Sequence, residues 1–464
     1  MKQAHRTWLA LVTALAAVGA CQSKADENST GGSAGGTPGQ PQAGAPSGGQ
    51  ASHSSAGNAG TTGKAGDANE AGSPAVDRPG GTGGTDDGAG GATAPAGGGG
   101  ETDAGAGEGG EGGEGGEGGS VGSARPEFAY LSTFLGGIFA FSIDLASGRP
   151  EPLPGPAVDA TAQIYAVSVD PSQRHLYVLD LVHKLDVFAI NADGTLPATP
   201  ASSTPIQGSP GTLALDLAGR FAYVGTRTDD PKGFIESFKI DATSGALSSA
   251  GAPLEVDGAP AYVAVDPTGH FAYLTKSTSL GIWGYSINQT TGLLTAVDPL
   301  PFGGTAVFGG AIAFRPDGKF LYTSGNGLNA FAIDHATGKL ERVEGSPFNA
   351  NVSSDPTASN LAISPSGKFL YATQFVAGSH VFGFSIDEAS GKLTPVPGNA
   401  LNVTAPYSAG LDPLGRFLYV GRDDGKLSVL AVKQSDGSLS EIEGSPVDKG
   451  GPQPELAFAR LAAP

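Results

Sequence analysis

Asp266-Pro-Thr-Gly-His-Phe-Ala-Tyr273 is the phrase that organises this chain. It returns as Asp170-Pro-Ser-Gln-Arg-His-Leu-Tyr177, Asp216-Leu-Ala-Gly-Arg-Phe-Ala-Tyr223 and Asp412-Pro-Leu-Gly-Arg-Phe-Leu-Tyr419, with close variants ending at Tyr322 and Tyr371. A seventh tyrosine, Tyr130, opens the series, and successive tyrosines stand 46 to 50 residues apart. Each phrase is a cluster of turn residues followed by a short apolar run, which is a hairpin signal. No segment of the repeats sustains a helical period. Strand-like units repeating at this interval are the signature of propeller blades.

Working outward from the phrase, the unit around Tyr177 divides into four strands. Strand A is expected at Tyr165 to Val169, a turn at Asp170 to Arg174, and strand B at His175 to Leu179. Strand C follows at Leu185 to Ile190, then a turn at Asn191 to Gly194, then strand D from about Leu196. The first unit lacks a strand A, since Glu127-Phe-Ala-Tyr130 matches strand B and Ile138 to Ile143 matches strand C. The missing piece is at the other end of the chain, where Glu455-Leu-Ala-Phe-Ala-Arg460 matches Asn360-Leu-Ala-Ile-Ser364 and Tyr262-Val-Ala-Val-Asp266. The expected fold is therefore all-β: a seven-bladed β-propeller of four-stranded blades over 126–464, its ring closed by the C-terminal strand. Such closure removes sheet edges.

The remainder is of different composition. Residues 1–20 carry Lys2 and Arg6, an apolar run from Trp8 to Val18 and small residues before Cys21, the pattern of an export signal too short to span a membrane. Val18-Gly-Ala-Cys21 resembles the lipobox of bacterial lipoproteins, which implies a lipid on Cys21 and a membrane-anchored protein at the outer membrane or cell surface. Cys21 is the only cysteine, which excludes an intramolecular disulfide. Residues 21–125 are rich in Gly, Ala and Ser with scattered acids such as Glu108, Glu111, Glu114 and Glu117, and lack the apolar surface a core requires. They are expected to form a disordered linker, with an end-to-end distance on the order of 50–60 Å.

The formal net charge is −19, and no basic cluster is visible. That balance argues against nucleic acid, whose binding rests on grouped Lys and Arg at phosphates. A monomer is expected, with a small polar molecule or an envelope protein or glycan as partner. No cofactor or metal is expected. The seven histidines form no metal-ligand pair, and Asp229-Asp230 and Asp423-Asp424-Gly425 lack the spacing of a calcium loop.

Comparing the repeats places the site. The tyrosine always falls seven residues after the first residue of its A–B turn, and the C–D turns are equally regular, whereas the B–C loops and D–A stretches vary in length. Regular turns share one face of the ring and irregular loops the other, and variable loops on a rigid scaffold are where binding groups collect. Near the start of strand A that face offers Tyr165, Thr212, Tyr262, Asn360, Ser408 and Glu455. After strand B come Asp180, Arg227, Lys276, Gln374 and Arg422. Arg227, Lys276 and Arg422 occupy equivalent places, so a mouth preferring anions is expected. Glu455, Asp180, His183 and His380 are the candidate acid/base groups, the two histidines being the only ones in B–C loops.

The phrase Phe-x-Ile-Asp-x-x-Thr/Ser-Gly-x-Leu at 331–340 and 384–393, with Gly-Ser-Pro at 345–347 and 444–446, resembles the seven-bladed lactonase propellers. That family includes bacterial 6-phosphogluconolactonase and the fungal carboxymuconate lactonising enzyme, and related Tyr-Val-Thr-Asn repeats of surface propellers share much of the pattern. The resemblance covers 126–464 and implies hydrolysis of a sugar or organic-acid lactone. It also implies a strand A histidine where this chain has Ala166, an Arg-His pair where it has Gly211-Thr212, and Asn-Glu where it has Thr226-Arg227. Without that set, a non-catalytic propeller binding a glycan, peptide or protein at the envelope is the alternative reading.

Overall fold

The tyrosine of every repeat is fully buried, and its surroundings explain the repeat. The computed structural model describes residues 126–461, apart from 135–136, 156–157, 159–162, 229–231, 278, 299–300, 303–309, 326, 350–359, 375–378, 449–451 and 453. The 1–20 leader, Cys21, the 21–125 linker, Asp229 and Asp230 lie outside the described residues. Within them, seven antiparallel sheets form the blades. Six have four strands, and in the third the outer strand is split into Leu247–Ser249 and Leu254–Asp257.

The C-terminal strand Glu455–Arg460 pairs with Glu127–Thr133, from Glu127 opposite Arg460 to Ser132 opposite Glu455, and so becomes the inner strand of the first blade. Phe458 packs against Tyr419 of the last blade, ring centroids 5.1 Å apart. Ala457 and Ala459 enter the core shared with the second blade. An ion cluster sits at the same seam. The buried Glu127 carboxylate meets Arg416 Nη2 at 3.0 Å and Arg460 Nε at 3.4 Å, and Arg416 also pairs with Asp412 at 2.9 Å.

A buried phenol must find an acceptor, and all seven find the same one. Tyr130, Tyr177, Tyr223, Tyr273, Tyr322 and Tyr371 donate to the carbonyl of the C–D turn glycine in the next blade, respectively Gly194, Gly245, Gly292, Gly338, Gly391 and Gly437, at 2.8–3.0 Å. Tyr419 completes the circle by donating to Gly148 at 2.6 Å. The glycine itself is required. At Gly194 φ is +81°, and an added Cβ would lie 2.1 Å from the Phe128 ring.

Asp170, Asp216, Asp266 and Asp412 explain the first letter of the phrase. Each uses one carboxylate oxygen to accept the backbone N–H groups four and five residues on, as Asp266 does from His270 at 3.0 Å and Phe271 at 2.7 Å. Gly-Ser-Pro has an equally local purpose. Ser346 Oγ accepts Ala330 N–H and Ser445 Oγ accepts Val429 N–H, both at 3.0 Å, docking the stretch after strand D onto strand C.

One strand differs from expectation. In the second blade the outer strand is Ser202–Pro205 and does not begin at Leu196. Pro197 and Pro200 cannot donate to a ladder, so pairing starts only beyond them, while Leu196 packs into the core as a loop residue.

Candidate functional site at the channel mouth

Hydrogen bonds confirm that the B–C loops and D–A stretches share a face. Leu181 N–H bonds Gln163 O at 2.8 Å, Ser277 N–H bonds Ala259 O at 3.1 Å, and Phe134 N–H bonds Pro452 O at 3.1 Å. At this face the inner strands begin, and four of them carry a bulge there: the register slips between Ile164 and Ala166, Pro210 and Thr212, Pro260 and Tyr262, and Pro406 and Ser408. A bulge re-aims side chains at the end of a strand. The extra residues are Tyr165, Gly211, Ala261 and Tyr407.

Tyr165, Tyr262, Tyr407 and Glu455 form one electrostatic group. The Glu455 charge acts on all three phenols, and the phenols act on one another. Burial first, and then Glu455, hold the phenols of Tyr262 and Tyr407 above their ordinary range; at Tyr165 burial prevails over the opposing pull of Arg227. All three therefore remain neutral hydrogen-bond donors in ordinary buffers. Glu455 is half-buried. Lost hydration pushes its carboxyl up to about 8. Among the described residues no cation pairs with it.

The other candidates are dispersed. Lys276 is buried with Nζ 3.9 Å from the Trp283 ring centroid, and desolvation lowers its pKa. Arg422 is clamped by Asp424 through Nε at 3.0 Å and Nη2 at 2.5 Å. Arg227 is exposed at the rim, close enough to act on Tyr165. The three cations expected to converge thus have three separate fates.

Thr212 Oγ1 accepts Val263 N–H at 3.1 Å and Ser408 Oγ donates to Pro454 O at 2.5 Å, so both tie neighbouring inner strands together. Asp180 closes its B–C turn by accepting Val182 and Lys184 N–H at 3.0 and 2.9 Å, and burial raises its pKa. His183 is an exposed turn residue with φ +69°. His380 does not lie in a B–C loop but begins strand C of its blade, His380–Ile386; it stacks on Phe382 with centroids 5.7 Å apart and pairs with Gln374, the buried last residue of strand B. Asn360 starts the inner strand of the sixth blade, paired with Thr373.

A cavity of about 480 Å³ opens at the opposite end of the inner strands, lined mainly by Leu361, Ala362, Ile363, Ala409, Gly410 and Phe458. Its polar groups are engaged: Gln173 Oε1 accepts Arg460 N–H, and Arg460 and Asp412 belong to the closure cluster. Volume thus favours one end of the ring and chemistry the other. We place the site with the chemistry, because on the loop-rich face the mouth couples Glu455, an acid with no cation pair among the described residues, to three phenols.

The sequence matches the family described as Lactonase, 7-bladed beta-propeller, over residues 221–307, 263–352 and 311–452. The chain belongs to this family. It is 27% identical over 306 residues to a 6-phosphogluconolactonase of Serratia proteamaculans, covering 63% of this chain and 88% of that protein. A 6-phosphogluconolactonase of Yersinia pestis is 25% identical over the same length, covering 87% of that protein. Among solved structures, a periplasmic gluconolactonase of Pseudomonas aeruginosa superposes with a TM-score of 0.61 at 21% identity, covering 73% of this chain and all of that one. This last likeness concerns the fold.

Tyr407 escaped the sequence reading, which chose Ser408 beside it. The signal was present, since Tyr407 stands five residues before Asp412 as Tyr165 does before Asp170. Strict alternation along a strand does not anticipate the bulge that turns both tyrosines to the mouth.

Proposed function

We propose that the chain hydrolyses a lactone at the loop-rich mouth of its channel, with Glu455 as the acid/base group. The observation that carries this reading is the electrostatic coupling of Glu455, at the head of the closing inner strand, to Tyr165, Tyr262 and Tyr407 on a propeller homologous to 6-phosphogluconolactonases. As carboxylate, Glu455 takes a proton from a water whose oxygen bonds to the lactone carbonyl carbon. Neutral phenols donate to the oxyanion that develops. Collapse breaks the bond to the ring oxygen, which receives the proton back from Glu455, leaving the open hydroxy acid. Because the family's histidine and Arg-His positions are Ala166, Gly211 and Thr212, this site is a rebuilt one.

A carboxyl titrating near 8 should make kcat/KM rise with pH and reach half its limit at about pH 8. Glu455→Gln should lower it by about 100- to 1,000-fold and remove the rise, measured above spontaneous opening. Its stability should move the other way. The raised pKa means the folded state holds this proton more tightly than the unfolded state, so the contribution present below pH 4.5 is lost as pH rises through 8. Glu455→Gln should therefore melt higher than the parent at pH 9 but not at pH 4. A parent rate unchanged by Glu455→Gln sinks the catalytic assignment, and lactone binding without hydrolysis makes the protein a binding propeller.

The exported, tethered location belongs to the same proposal. Its support is the leader and Val18-Gly-Ala-Cys21. Cys21→Ser should shift the protein from the detergent-extracted membrane fraction to the soluble one; retention in the membrane fraction rejects lipid anchoring.

A further inference from the structure

Resting on the lactonase reading above, we infer that the mouth accepts an uncharged, hydroxyl-rich lactone and rejects a phosphorylated one. The argument is one of charge placement. Recognition of a phosphate monoester calls for converging cations or a bidentate guanidinium. Here Lys276 is spent on the Trp283 face and Arg422 on both oxygens of Asp424. Arg227 is left at the rim, exposed to water, where a single ion contact is weak.

The groups around the phenols have the opposite sign. Glu455 acts on Tyr165, Tyr262 and Tyr407, and Asp423 adds to its effect on Tyr407. A phosphate dianion entering this group would keep one Glu455 proton bound that catalysis needs released, and would lie against Asp423 in a poorly hydrated channel. An uncharged polyol meets no such opposition. Its hydroxyls match phenol donors and carboxylate acceptors, and its C–H faces match aromatic rings. The same three tyrosines and one acid that weaken phosphate binding are therefore the groups that fit an unphosphorylated sugar lactone.

The test uses the full-length protein with glucono-1,5-lactone and its 6-phosphate, each corrected for spontaneous opening. The unphosphorylated lactone should be preferred in kcat/KM by on the order of 100-fold, the effect of two like-charge contacts at partly shielded distances. Raising ionic strength from low to about 0.5 M should increase the rate on the phosphate and leave the other unchanged, because salt screens repulsion. Asp423→Asn should narrow the preference several-fold. Equal or better turnover of the phosphate, or a rate on it that falls with salt, overturns the inference while leaving the hydrolase reading intact. If neither lactone is turned over, the hydrolase reading fails and calorimetry decides selectivity: binding of glucono-1,5-lactone without its 6-phosphate sustains the inference, and binding of the 6-phosphate, or of neither, overturns it.

Discussion

At the turn face, equivalent residues do the same thing seven times; at the loop face, equivalent residues do different things. Seven tyrosine hydroxyls reach seven glycine carbonyls at the turns. Near the start of the inner strands, Thr212 and Ser408 join neighbouring strands, while Glu455 acts electrostatically on Tyr262. Identical bonds at every blade boundary distribute the holding of the ring over one face. That frees the other face to vary residue by residue without loosening the ring, which is how a repeat protein acquires a single, unsymmetrical site.

The largest break in this comparison comes from ending the chain after Pro454. The first blade would lose its inner strand and with it the six-residue pairing to Glu127–Thr133, the Phe458–Tyr419 contact and the Arg460 arm of the ion cluster. Partly buried Leu456 and Phe458 and the two buried alanines add to the loss. Full burial of one Leu or Phe is already about 1.5–3 kcal/mol, and a domain's whole stability is about 5–15 kcal/mol. The truncated protein should show no cooperative melt near the parent's temperature. A Tm within a few degrees of the parent would show that the ring does not depend on C-terminal closure.

A smaller break targets one turn. Gly194→Ala places a Cβ against the Phe128 ring in a backbone conformation with φ +81°. Strain and clash together should lower stability by about 2–4 kcal/mol, read as a fall in denaturant midpoint. A change under 1 kcal/mol would mean the turn can move away from the neighbouring blade, so that the boundary contacts are less rigid than seven equal bonds suggest.

The two faces were also unequally legible in the sequence. Blade number, strands A to C and C-terminal closure could be read because turn chemistry and alternation repeat, and repetition averages out local ambiguity. The outer strand of the second blade was misplaced because Pro197 and Pro200 forbid pairing that the apolar Leu196 invites. At the mouth, sequence could bring Arg227, Lys276 and Arg422 to one face, but it could not show that Trp283 and Asp424 engage two of them. Those partners lie two to seven residues away, on strand C or in the B–C loop, where no repeat constrains them. Glu455 was found because it heads a strand recognised by homology with the other blades. Tyr407 was missed because a bulge is a departure from the very alternation used to find the strand.

The smallest effect sharpens the comparison most directly, by setting one latch against one rim residue. Tyr371→Phe removes a hydroxyl that bonds Gly437 O at 2.9 Å inside a fully buried site, leaving the ring's packing unchanged. The lost bond should cost about 1 kcal/mol. Arg227→Gln removes a charge that is exposed and makes no ion pair among the described residues, so it should change stability by no more than about 0.5 kcal/mol. Urea titrations of both variants, analysed with a common slope, separate these values. If Arg227→Gln proved as costly as Tyr371→Phe, the loop face would be holding the ring too, and its freedom to vary would need another source. If Tyr371→Phe cost nothing, apolar packing at the blade boundaries would hold the ring by itself, and the repeated tyrosine would be maintained for its aromatic body and not for its hydroxyl.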